Sequence, residues 1–129
     1  MYDRPDPHEQ LAAVAAFLRE RVMPRLDGQL AFHVRVAANM LDLVDRQIAL
    51  AGATGPGELA RLRALLGTDG DVAELNQELC RRIEDGRFGL HTPGLTDHLW
   101  RATLDKLAVD QPRYATLLRL TASEQNKDV

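Results

Sequence analysis

The sequence holds one cysteine and, among its 16 basic residues, only two lysines, Lys106 and Lys127. A lone Cys80 cannot close an internal disulfide, which fits a reducing cytosol and a cytoplasmic location. No apolar run approaches the roughly 18 residues of a membrane span, because charges interrupt every hydrophobic stretch. The opening decapeptide, MYDRPDPHEQ, is acidic and contains proline. It has no basic segment leading into an apolar one, so it does not read as a signal peptide. A net charge of −3 and a pI near 5.8 give no electrostatic reason to expect nucleic acid or an anionic membrane as a partner. Arginine's planar fork suits carboxylates and phosphates. GC-rich codon usage also accounts for the arginine excess, and exposed helix arginines are mostly solvated.

Catalytic signatures are missing as well. There is no glycine-rich phosphate loop, no Gly-x-Ser-x-Gly elbow, no His-Glu-x-x-His and no Cys-x-x-Cys. His91, Asp97 and His98 could suggest a metal, but the histidines straddle a loop-to-helix junction and no third ligand has a matching spacing. Cys80 lies beside Arg81 and Arg82, which can lower a thiol pKa; a small helix residue of no special reactivity fits the same position. The sequence therefore names no catalytic residue, no metal and no cofactor.

What the sequence does contain is helix. No alternating strand pattern of useful length appears, and no repeat of fixed period. Asp6-Pro7-His8-Glu9 is a capping box that opens a first helix burying Leu11, Val14, Ala15, Leu18 and Val22, which should stop or kink before Pro24. Asp27-Gly28 opens a second helix over about 28–51, ended by the glycine-rich segment GATGPG at 52–57. A short helix over 58–66 follows. Asp71-Val-Ala-Glu74 is a second capping box, with Gly86 as the C-terminal stop of its helix. The segment GRFGLHTP (86–93) is irregular. Thr92-Pro93 begins a helix through about 109, Pro112 interrupts it, residues 114–120 form a last short turn, and 121–129 is a polar tail expected to be disordered. These observations predict an all-α single domain over 1–120, with about five helices packed around the second.

That second helix is the most informative stretch. At about 100° per residue, Leu30, Val34, Ala37, Leu41, Val44 and Ile48 form one apolar row, and Phe32, Val36, Met40, Leu43 and Leu50 a second beside it. The rows cover a little over half the circumference, so the helix must be wrapped by several partners and should be the most buried element. Arg35, Asn39, Asp42 and Arg46 form a polar seam, with Arg35–Asn39 and Asp42–Arg46 as internal pairs. The seam reads either as a solvated face or as a docking face for a partner. His33 falls inside the apolar arc and is expected to be buried. It is either a core histidine or the working group of a small enzyme or ligand-binding protein, in a pocket lined by Met40 and Val44.

Three separated segments carry a family resemblance: MYDRP at 1–5, LDGQLAFHVRVAANML at 26–41 and KLAVDQPRY at 106–114. Together they resemble a small bacterial family with no assigned chemistry of its own, over nearly the whole chain to about residue 115. The pattern is followed at Tyr2, Asp3, Arg4 and Pro5, at Phe32, His33, Arg35 and Asn39, and at Lys106, Asp110, Pro112, Arg113 and Tyr114. The 52–57 segment and the polar tail depart from it. The resemblance implies a gene beside an aminoglycoside-phosphotransferase-like kinase and an acyl-CoA dehydrogenase, as in levulinic-acid catabolism. It implies a non-catalytic accessory subunit that works with the kinase on hydroxyacyl-CoA thioesters. Arg4, His33, Arg35, Asn39, Lys106, Asp110, Arg113 and Tyr114 are then the candidate contacts, expected to gather at one end of the bundle. An inter-segment staple with Asp3 and Asp110 as counter-ions is the structural alternative. A self-associating helical module, a homo-oligomer, is the third functional reading.

Overall fold

The computed structural model describes residues 4–126, and these form an all-α chain with no strand among them. Five α-helices follow in order: α1 Pro7–Phe17, α2 Gly28–Leu66, α3 Val72–Glu84, α4 Leu95–Asp110 and α5 Ala115–Gln125. The chain divides into two compact units, Met1–Ala49 and Leu50–Val129, with the boundary inside α2. No helix among the described residues is long and apolar enough to cross a membrane.

In the first unit, both halves of the Asp6–Glu9 capping box form: Asp6 accepts from the Glu9 amide at 2.9 Å, and Glu9 accepts from the Asp6 amide at 2.9 Å. Approaching Pro24 the α1 helix widens into a π-helical turn, Leu18–Val22, then tightens into a 3₁₀ turn, Met23–Arg25. Proline lacks the amide that would continue the ladder, and its ring crowds the carbonyl one turn back, so the α geometry gives way where the sequence predicts. The returning α2 helix is tied to this segment by polar contacts. Arg19 forks onto Asp42, with Nη2 2.6 Å from Oδ2, and His8 Nδ1 lies 2.7 Å from Asp45 Oδ1. Among the described residues of the unit, the buried ones are two alanines, Ala15 and Ala38.

The expectation of a deeply buried helix over 28–51 is not met. Leu30, Val44 and Ile48 are exposed, as are Ala37 and the second-row residues Phe32, Val36 and Met40. His33 is exposed too, and its ring meets Phe32 edge-on at 5.8 Å. Ala38, Asp42 and Asp45 fall within about 60° of one another on the helix, so the segment from α1 to Arg19 is tied to that side. The apolar rows point the other way. Periodicity gave the faces of the helix but not how many of them this chain would cover.

The second unit holds the apolar core. Leu62 and Leu66 of α2 pack with Leu75 and Leu79 of α3 and Leu95 of α4, flanked by Leu59, Leu65, Val72 and Phe88. The helix does not end at 52–57. It runs on to Leu66 with Pro56 inside it, so the expected loop and short helix are one element. Proline's fixed φ is compatible with helix, and glycines on both sides keep its ring from meeting a side chain. The Thr54 hydroxyl donates to the Leu50 carbonyl at 2.9 Å. The second capping box, Asp71–Glu74, is present, and Gly86 at φ +79 follows α3 as its left-handed stop. Gly94, also at φ +83, caps the start of α4. Residues 121–125, read from sequence as disordered tail, continue α5; 127–129 lie outside the described residues.

Candidate functional site

The eight candidate contacts fall into both units. Arg4, His33, Arg35 and Asn39 belong to the first, and Lys106, Asp110, Arg113 and Tyr114 to the second. Tyr2 and Asp3, also part of the family-like pattern, lie outside the described residues. Within its unit each group behaves differently. Among the described residues Arg4 reaches Glu9, at 3.8 Å from an almost fully exposed position. The expected Arg35–Asn39 pair does not form, because Asn39 Oδ1 accepts from Arg19 Nη2 at 2.9 Å. Asp42, expected to pair with Arg46, is held chiefly by Arg19; that hydrogen bond lowers its carboxyl pKa below the usual range, with Arg46 adding a smaller charge contribution. The polar seam is thus partly used to fasten the Arg19 turn, leaving Arg35 exposed.

In the second unit, Lys106, Asp110, Arg113 and Tyr114 are all exposed around the corner between α4 and α5. The corner is set by Pro112, which cannot continue α4, and by the Tyr114 amide donating to the Gln111 carbonyl at 3.0 Å. Against this corner lies a groove of about 650 Å³ formed by α2, α4 and α5. Trp100, Leu104, Ala108, Pro112, Leu117 and Leu118 give it an apolar wall. Arg61, Asp97, Arg101, Asp105, Thr121 and Glu124 supply the polar groups. Trp100 and Leu118 are each about half exposed in the groove, at 48% and 52%. An apolar floor with a few polar groups at its margin is the composition of a recognition surface.

Beside the groove is a polar cluster that the sequence reading missed. His98 is 1% exposed and its Nδ1 has no hydrogen-bond partner. Nε and Nη2 of Arg61 are also buried and unpartnered, with Asp105 Oδ2 at 3.8 Å from Nη2, too far for a hydrogen bond. Burial, then the charge of Arg61, push the His98 imidazole pKa below its ordinary 6.5. A signal for His98 was available: at 100° per residue it falls in the row of Leu95 and Ala102, an inward row. From sequence, His98 is weighed only beside His91 and Asp97 as a metal set that lacks a third ligand; Asp97 is an exposed partner of Arg101 at 3.0 Å. Nothing in the spacing singles out Arg61.

No group of three or more His, Cys, Asp or Glu side chains arranged to hold a metal occurs among the described residues. Cys80 is exposed, and its neighbours Arg81 and Arg82 turn to Glu78, at 3.2 and 2.8 Å. The cavity described in the first unit, lined by Phe17, Arg21, Val22, Arg25 and Leu26, does not include His33. An exposed His33, with Met40 and Val44 also exposed, is not the enclosed working group that one reading expected.

Comparison with known proteins gives a family and no function. No curated protein and no solved structure matches the chain. A family match covers residues 24–114, which takes in two of the three motif segments, all of α2, α3 and α4, and the α4–α5 corner. The chain belongs to the family described as Domain of unknown function (DUF6285).

Proposed function

We propose that this protein is a non-catalytic accessory subunit of an aminoglycoside-phosphotransferase-like kinase acting on hydroxyacyl-CoA thioesters in acid catabolism. In this reading the kinase docks on the α4–α5 corner and its groove. The observation that carries the docking is the neighbourhood of an apolar groove and exposed motif residues at one corner. Trp100 and Leu118 offer aromatic and aliphatic anchors in the groove, and Arg113 and Tyr114 stand exposed next to its lining residue Pro112, while Lys106 is exposed on another side of α4. Interfaces concentrate their binding energy in such Trp, Tyr and Arg positions. Asp110 makes no ion pair within the described residues. The identity of the kinase and its thioester substrate rests on the family resemblance. ATP and magnesium chemistry would belong to the kinase.

The test is co-expression with the kinase encoded beside the gene, followed by affinity capture. Arg113→Ala with Tyr114→Ala should cut capture at least about tenfold with the melting temperature unchanged. Equal capture by the variant, or no capture by the native chain, overturns the reading. A second reading, a small-ligand protein, draws on the unpartnered buried nitrogens of Arg61 and His98 beside the groove. Calorimetric titration with short hydroxycarboxylates, repeated on Arg61→Gln, separates it from the first.

A further inference from the structure

We infer that the outer face of α2 in the first unit is the interface of a homodimer, closed by a second copy of this chain in antiparallel orientation. Leu30, Phe32, Val36, Met40, Val44 and Ile48 are between 37% and 58% exposed. They leave uncovered on the order of 600 Å² of apolar surface, the upper end of what the largest patch on a monomer amounts to. That area is close to the roughly 800 Å² that each side contributes to a standard interface. The unit itself has little core, since among its described residues the buried ones are Ala15 and Ala38. Its two helices have little apolar burial of their own, and pairing with a second such hairpin into a four-helix arrangement adds to it.

Three features select a second copy as the occupant. First, the arc from Gln29 to Ile48 includes the exposed His33, Ala37 and Gln47 and the half-buried Leu43 but no Asp, Glu, Lys or Arg. Two identical faces can therefore meet without like-charge repulsion. The charged residues Arg35, Asp42, Asp45 and Arg46 lie toward the side tied to α1. Second, the centre of the arc follows alternating steps of four and three residues, Gln29, His33, Val36, Met40, Leu43 and Gln47, the spacing of a helix-pairing seam. Third, that seam is symmetric about the level of residue 38. Antiparallel pairing sets Val36 against Met40, His33 against Leu43 and Gln29 against Gln47 of the second copy. Apolar pairs then occupy the middle, and the glutamine amides bond to each other at both ends. Self-complementarity of this kind is what a two-fold interface requires.

Sedimentation velocity on the full chain should show a dimer, and Met40→Glu should weaken it at least about 100-fold while leaving helicity unchanged. A native chain that stays monomeric at high micromolar concentration overturns the proposal. Orientation is read by mild oxidation in a Cys80→Ser background. Val36→Cys chains mixed with Met40→Cys chains should cross-link to each other faster than either does to itself. Preferential self-linking of Val36→Cys would mean a parallel pair and would also overturn it. If the native chain is monomeric yet binds the kinase, and Met40→Glu abolishes that binding, the face belongs to the kinase instead. Kinase capture through the α4–α5 corner is measured separately, so either proposal can fail without the other.

Discussion

Arg82 Nη1 donates to the main-chain carbonyl of Leu66 at 3.0 Å, so a side chain of α3 satisfies the C-terminal end of α2. The last carbonyls of a helix have no partner within it, and an arginine there meets both the hydrogen-bond need and the negative end of the helix dipole. The same guanidinium bonds Glu78 at 2.8 Å and lies 5.3 Å from the centre of the Phe88 ring.

Arg82→Ala removes all three contacts beside the leucine core and should destabilise the fold by about 1–3 kcal/mol. Lysine cannot reproduce the planar fork, so Arg82→Lys should recover only part of the loss. Urea denaturation with an unchanged slope checks this. A loss within experimental error would mean that the end of α2 is satisfied by solvent.

His8 and His98 should titrate in opposite directions. The His8 pKa is raised, first by its hydrogen bond to Asp45 and then by that carboxylate's charge. The His98 pKa is lowered by burial and by Arg61. Folding therefore gains from the His8 contact below about pH 6.5 and loses that gain as pH rises through the folded value. For His98 the gain is full above about pH 6.5 and is lost as pH falls toward the folded value. Imidazole resonances followed by NMR should place His8 above and His98 below the ordinary histidine midpoint. The reverse order would contradict the geometry of both sites.

The continuity of α2 can be tested at Gly52. A Cβ added there meets nothing within 4 Å. Gly52→Ala should then raise stability by about 0.5–1 kcal/mol, the usual gain in a helix interior. If 52–57 were a loop in solution, the substitution would give no gain and helicity by circular dichroism would not rise.

Helix starts were the most legible part of this sequence, because capping is decided within four residues. Asp6–Glu9 and Asp71–Glu74 form as read, and the breakdown of α1 before Pro24 follows from the proline ring alone. The run through Gly52 and Pro56 was not legible from local chemistry, since those residues have low helix propensity and the flanking helical segments decide the outcome. The candidate site was less legible still. Lys106, Arg113 and Tyr114 are exposed around Pro112. Asn39 could not be assigned from its own helix, because its partner, Arg19, sits 20 residues away in a turn whose π geometry no pattern forecasts. His98 was hidden by an adjacent aspartate that pairs elsewhere.

The outer face of α2 also bears on how sequence change in this protein should be judged. Exposure in a single chain normally marks a position as permissive, and a substitution survey scored that way would rate Leu30, Val36 and Met40 as free to vary. If a second copy covers it as proposed, a face that keeps eleven positions from Gln29 to Ile48 free of Asp, Glu, Lys and Arg is instead under the restraint of an interior. Polar replacements there should leave each chain helical and still be lost under selection, while the same replacements at Gln10 or Ala64 go unnoticed.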